Sequence, residues 1–225
     1  VRVTPQAIVD GAPMLDGPPT ILDLKKEELR SLIDKPQLKR TIEKKYVCIA
    51  THSSSYYKYW LRKNGWNDVI KYLKELGYEV VCIDGDDVAD YGKVKMHVPK
   101  GCIKKTGMRN LLERVNDLYF CDFFIGLGSG LSWLAWALNK PVVMISGFSA
   151  ESCEFKNPYR VINKDVCHGC WGKKGNTNDP FYCPEHYGTS RQHECSREIT
   201  FEMVKEKITK LISSSSHDLQ PSGDQ

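Results

Sequence analysis

The stretch from Phe123 to Gly147, FFIGLGSGLSWLAWALNKPVVMISG, leaves the chain few folds to choose from. Its opening apolar run, Phe123-Phe124-Ile125, suits a buried strand. Three glycines follow within five residues, Gly126, Gly128 and Gly130, with Ser129 between the last two. Leu131, Leu134, Trp136, Ala137 and Leu138 then read as a helix nearly apolar all round, which must be covered on most sides. Pro141 ends it, because a proline biases its predecessor out of the helical region. Val142 to Ile145 reads as a second apolar strand. Strand, Gly-Ser-Gly turn, helix and strand form one βαβ crossover, the unit that joins parallel strands.

The turn opens a helix, and a helix N-terminus carries unpaired N–H groups and a partial positive charge. Glycines let the backbone approach a phosphate, and Ser129 adds a hydroxyl. Either Ser129, Gly130 and Leu131 hold a diphosphate, or the turn only packs helix against sheet. The stretch is neither a P-loop nor a complete G-x-G-x-x-G motif.

The rest of the chain repeats the same alternation. Residues 1–45 read as a linker broken by Gly11, Pro13, Gly17, Pro18 and Pro19, with a short helix over residues 22–33 that Pro36 stops. The chain begins at Val1 rather than Met, so this segment is expected to be the remnant of an upstream N-terminal domain. Tyr46 to Ala50 is a first strand. At its carboxyl end stand Thr51 to Lys58, where ligands of open α/β sheets bind. These hydroxyls and Lys58 either hold phosphate or form a solvated polar loop. Trp66, Val69, Ile70, Leu73 and Leu76 share one helical face, and Gly77 suits its C-terminal cap. Tyr78 to Ile83 is a second strand, closed by Asp84-Gly85-Asp86-Asp87, which either form a turn or bond a ribose. Residues 90–101, His97 included, read as loop. A helix over residues 109–120 has Leu111, Leu112, Val115, Leu118 and Tyr119 as apolar positions, with Glu113 and Arg114 as a solvated pair. The expected fold class is α/β, Rossmann-like, a mostly parallel sheet with helices on both faces over residues 46–165.

Cysteine usage sets a second constraint. Five of the nine cysteines (Cys48, Cys82, Cys102, Cys121, Cys153) are scattered, which suits a reducing, cytoplasmic compartment. The other four, Cys167, Cys170, Cys183 and Cys195, are separated by two, twelve and eleven residues. Such spacing fits one closed tetrahedral metal site, with zinc ahead of iron on spacing alone; a redox C-x-x-C or unrelated thiols are the alternatives. His168, His186 and His193 are reserve ligands. The intervening loop is rich in Gly, Asn and Pro and has little core of its own, so residues 166–197 read as a finger that a metal must staple. Thr200 caps a last helix, with Phe201, Val204, Ile208 and Leu211 on one face, over residues 198–212. Residues 213–225 read as a disordered tail. A net charge of +4 without a basic, aromatic-interleaved tract gives no signal for nucleic acid, and no apolar run has the length of a membrane span.

The blocks FFIGLGSGLSWLAWALNKPVVMISGF, NPYRVIN, CHGCW, FYCPEHYGTSRQHEC and LLERVNDL together resemble the bacterial autotransporter heptosyltransferases, from about residue 40 to residue 212. THSSSYYKYW and GSGLSWLAWAL are similar to patterns of the wider lipopolysaccharide heptosyltransferases. The resemblance implies the C-terminal, donor-binding half of a GT-B glycosyltransferase. It implies an ADP-heptose donor, serine hydroxyls of autotransporter adhesins as acceptors, and a large homo-oligomer. Thr51 and Lys58 would contact the donor phosphates, Ser129, Gly130 and Leu131 the diphosphate, and the region from Thr106 to Arg109 would flank the nucleotide. The same resemblance moves the metal on the four cysteines from zinc towards iron. The catalytic base would lie in an N-terminal domain outside this chain. Trp133 and Gly128 depart from the lipopolysaccharide enzymes, which carry His and Asp there. Two rival functions remain at this level: an inactive nucleotide-sugar-binding or assembly module, and a transferase of another nucleotide sugar.

Overall fold

The computed structural model describes residues 38–171 and 179–217. The helix expected over residues 22–33, most of the linker and the last eight residues of the chain lie outside the described residues.

Strands β1 (Tyr46–Ile49), β2 (Glu79–Cys82), β5 (Ile103–Lys104), β6 (Phe124–Leu127), β7 (Val142–Ile145) and β8 (Arg160–Val161) form one six-stranded sheet in the order β5-β2-β1-β6-β7-β8. Every pairing in it is parallel. The Gly-rich crossover is present as read. β6 and β7 pair in register from Phe124 opposite Val142 to Leu127 opposite Ile145, joined by helix α3 (Gly130–Ala137).

Strand residues alternate between two cores, as a sheet covered on both faces requires. Val47, Ile49, Val80, Ile125, Leu127 and Val143 face helices α1 (Gly65–Glu75) and α5 (Phe201–His217). Tyr46, Cys48, Val81, Phe124 and Met144 face α2 (Leu111–Phe120) and α3, through Leu118 and Ala135. The expected face of α1 is buried at Val69, Ile70 and Leu73, whereas Leu76 is exposed just beyond its end. Gly77 takes φ +82°, the left-handed cap that glycine adopts without strain.

Three expectations are corrected. Residues expected as loop contain an antiparallel hairpin, β3 (Val88–Asp90) with β4 (Lys95–His97). Leu111 and Leu112 are 61% and 56% exposed rather than core. Helix α5 runs to His217, five residues past the expected end at residue 212, into the segment read as tail. Its cap is as expected: Thr200 Oγ1 accepts from Met203 N at 3.3 Å.

Candidate functional site

The chain runs from β1 outward to β2 and β5, then returns to β6 on the other side of β1. That reversal leaves a crevice beyond the carboxyl ends of β1 and β6, the place where open α/β sheets take ligands. A cleft of about 950 Å³ lies there. Its walls are His52, Ser53, Ser54 and Lys58 after β1, Asp84, Gly85 and Asp86 after β2, and Ser129, Gly130 and Leu131 after β6. Leu111, Arg114, Trp133 and Trp136 supply further wall from α2 and α3.

The turn after β6 is built to present its backbone. Ser129 is the N-cap of α3 in an extended conformation, and its side chain makes no capping bond. Its carbonyl accepts from Ser132 N at 3.0 Å, while the first N–H groups of the helix have no turn beneath them to bond. Ser132 Oγ pins the end of β6 from within by donating to Leu127 O at 2.5 Å. A side chain at Gly130 would meet open space, so the glycine keeps the cleft clear rather than relieving a clash.

Lys58 ends a short 3-10 turn, Tyr56–Lys58, and is half-buried. Burial draws its ammonium below the ordinary lysine value, and the Glu154 carboxylate, then Cys153, draw it back up. Its Nζ lies 5.0 Å from the centre of the Trp171 ring. A second anionic group arriving in the cleft would favour the charged form further.

Of the six candidate contacts, Lys58, Ser129, Gly130 and Leu131 line one cleft, and Thr51 and Thr106 do not. Thr51 is buried, and its N–H and hydroxyl both donate to the Asp84 carboxylate, each to Oδ2 at 2.8 Å. His52 N adds a bond to Asp84 Oδ1 at 3.0 Å. Asp84 is thereby the brace of the β1 and β2 ends. Thr106 donates its hydroxyl to Asp87. Arg114 is not part of a solvated pair: it is buried, it donates to Gly107 O at 2.7 Å and to Ile83 O, and it reaches the cleft wall. Glu113 pairs instead with Arg109, at 2.9 Å. The signal was present, because Arg114 and Leu118 sit at helical spacing on the face that α2 turns inward. His52, Trp133 and Trp136 also went unassigned; each stands one or a few residues from an expected contact.

Three of the four candidate cysteines, Cys167, Cys170 and Cys195, pack in one cluster with Tyr57, Phe148 and Trp171. Cys170, Cys183 and Cys195 are buried, and Cys167 Sγ lies 3.6 Å from Cys170 Sγ. The Cys195 thiol is pushed up to about 12, first by burial and then by Cys170, Cys183 and Cys167. Metal–sulfur bonds of about 2.3 Å give tetrahedral edges of about 3.8 Å, close to the observed sulfur pair. One grouping among the described residues, Cys167, His186 and Glu194, has ligand atoms within 4.8 Å of one another. Glu194 already has work there: it takes Arg191 at 2.6 Å and the Cys167 N–H at 3.0 Å, and this pairing pulls its carboxyl down to about 2. Among the described residues Cys167, His186 and Glu194 are thus a possible ligand group, and Glu194 also holds the backbone N–H of Cys167.

Comparison with known proteins agrees with this fold. The family model described as Glycosyltransferase family 9 (heptosyltransferase) matches residues 10–178. The autotransporter heptosyltransferase TibC of Escherichia coli O78:H11 is 50% identical over 175 residues, 76% of this chain and 43% of that protein. The autotransporter heptosyltransferase Aah of Escherichia coli is 49% identical over 181 residues, 76% of this chain and 46% of that protein. A crystal structure of dodecameric iron-containing TibC with ADP-D-β-D-heptose superposes with a TM-score of 0.78 at 45% identity, covering 86% of this chain and 51% of that one. The chain thus spans about half the length of the relatives it matches.

Proposed function

The chain belongs to glycosyltransferase family 9, the heptosyltransferases, and from that premise we propose that its cleft binds the ADP part of an ADP-heptose for transfer of the sugar to serine hydroxyls of an autotransporter. The observation that carries this reading is the convergence of Lys58 and the start of α3 on one cleft at the sheet's reversal point. As the bond from the sugar's anomeric carbon to the diphosphate breaks, the electron pair leaves with ADP. The Lys58 ammonium, the N–H groups of Gly130 and Leu131 and the Ser129 hydroxyl are placed to take up that charge, which is where preorganised donors lower a barrier most. The apolar walls given by Trp133, Trp136 and Leu111 offer the nucleotide a surface to pack on. Thr51 serves indirectly, by fixing Asp84 and with it the loop that leads to Lys58. No step at the acceptor is assigned to the described residues.

In the same reading Cys167, Cys170, Cys183 and Cys195 hold iron, which closes the finger without offering an open coordination position. The donor set supports it, and so does the iron in similar TibC. The autotransporter acceptor follows from the names of the relatives, and a homo-oligomer from the dodecameric TibC. A reducing compartment such as the cytoplasm belongs to the same reading, since scattered cysteines suit one. Among the described residues no helix is long and apolar enough to cross a membrane.

Calorimetry with ADP and ADP-heptose tests the donor reading. Binding is expected for the parent chain, with Lys58→Met weakening it by about 10-fold or more, as loss of a charge-assisted phosphate contact implies. A folded chain that ignores both ligands would end the proposal. Elemental analysis after mild purification is expected to give one iron per chain, and its loss from Cys195→Ser; zinc in its place would overturn the metal assignment.

A further inference from the structure

We propose that the cysteine finger positions Lys58 for the donor diphosphate, and that Trp171 is the residue through which it does so. The proposal rests on the donor reading above and extends it to a segment with no place in the cleft itself.

All three residues of the turn that carries Lys58 are held by the finger or by its seat. The Tyr56 ring lies 4.9 Å from Phe181 and 5.5 Å from His193. Tyr57 is buried with its ring 4.3 Å from Phe148, and Phe148 lies 5.8 Å edge-on from Trp171. Lys58 Nζ sits over the Trp171 ring at 5.0 Å. Trp171 follows Cys170 directly, so in the metal reading above its backbone lies within one residue of a ligand. The backbone is tied again where Trp171 N donates to Phe148 O at 3.2 Å and Gly169 N donates to Gly147 O at 2.9 Å. Tyr57, Phe148, Cys170 and Cys195 form one small apolar cluster, with Cys167 and Trp171 packed on it, separate from the two sheet cores.

A lysine has four rotatable bonds, and pinning such a side chain on binding costs affinity. An indole face attracts an ammonium and orients it beforehand, more strongly where water is partly excluded. The Glu154 carboxylate also favours the charged form of this ammonium. Lys58 is thus aimed before ADP arrives, and the aiming surface belongs to the finger.

The test is a double-substitution cycle read by ADP calorimetry on the full chain, with metal content and circular dichroism checked on each variant. Trp171→Leu is expected to weaken ADP binding about 2- to 10-fold, the span of one pre-ordered side chain. Trp171→Phe keeps an aromatic face and is expected within about twofold of the parent. In a Lys58→Met background, Trp171→Leu is expected to add nothing. Should Trp171→Leu lose its fold or its metal, Trp171→Met, which fills the space without a π-face, takes its place in the cycle. A parent chain that binds no ADP overturns the donor reading and this proposal with it. Parent binding that Trp171→Leu leaves unchanged, or an equal loss with and without Lys58, overturns only the positioning role.

Discussion

A methyl group on Gly128 would sit 2.5 Å from Glu154 Oε1, closer than any real contact. Glu154 cannot swing away cheaply. Arg160 Nε pairs with its other oxygen at 2.7 Å, Ser146 Oγ donates to Oε1, and both charged side chains are nearly sealed from water. Burial pushes the Glu154 carboxyl up, with Ser146 and Arg160 the chief groups pulling it back. The strain would therefore fall on the turn that offers Ser129, Gly130 and Leu131 to the cleft. Gly128→Ala is expected to destabilise the chain by about 1–3 kcal/mol, the usual cost of overpacking, as read by urea denaturation. ADP affinity is expected to drop about tenfold by calorimetry. Full affinity in that variant would mean that the turn does not touch the diphosphate. The same contact accounts for the departure at this position: a carboxylate from Glu154 already lies against Gly128, and an Asp side chain there would collide with it.

At the scale of elements, what was legible followed periodicity and burial. β6, α3 and β7 fall close to where the apolar runs and Pro141 put them, because both strands are wholly buried apolar runs with Gly, Ser, Asn, Lys and Pro between them and the helix. The β3–β4 hairpin was hidden for the opposite reason. Its strands are three residues each, largely exposed, and carry Asp90, Lys95 and His97, so no apolar period marks them. Arg114 was lost because a charged residue is read as solvated by default, and its two carbonyl acceptors lie outside its helix, at Gly107 just before it and at Ile83 beyond β2. Thr51 and Thr106 could be placed near the cleft by position, but not aimed, since the Asp84 and Asp87 carboxylates that capture their hydroxyls appear only when the strand ends meet. Helix α5 shows local and global signals agreeing. Thr200 caps it, and Val204, Ile208 and Leu211 are buried against α1 and the sheet. Thr200→Ala is expected to cost about 1 kcal/mol in thermal or urea unfolding, with the metal content unchanged. A cost near zero would show that burial alone sets the start of α5.

The molecule as a whole has two large cores, one on each face of the sheet, and a third small cluster under the finger. The finger's seat is close: a Cβ on Gly147 would lie 1.9 Å from the Cys195 carbonyl, so the segment presses on the backbone beyond β7. Its far end is sewn to the loop after β1, where Leu61 N donates to Ser196 Oγ at 3.1 Å and Trp60 Nε1 donates to Ile199 O at 2.9 Å. The sheet cores contain none of the four candidate cysteines, whereas the third cluster is small and joins Cys167, Cys170 and Cys195 to Tyr57, Phe148 and Trp171. Stripping the metal should therefore open the finger and spare the sheet, as local opening follows local contact density. Hydrogen exchange after chelation is expected to lose protection at residues 167–171 and 181–197 while β1, β2, β6 and β7 keep theirs. ADP affinity should fall together with finger protection, by about the factor that Trp171→Leu gives alone, because both leave Lys58 unheld. Loss of protection across β1 and β6 in step with the finger would mean that the metal supports the whole fold, and the change in ADP affinity would then no longer report on Lys58.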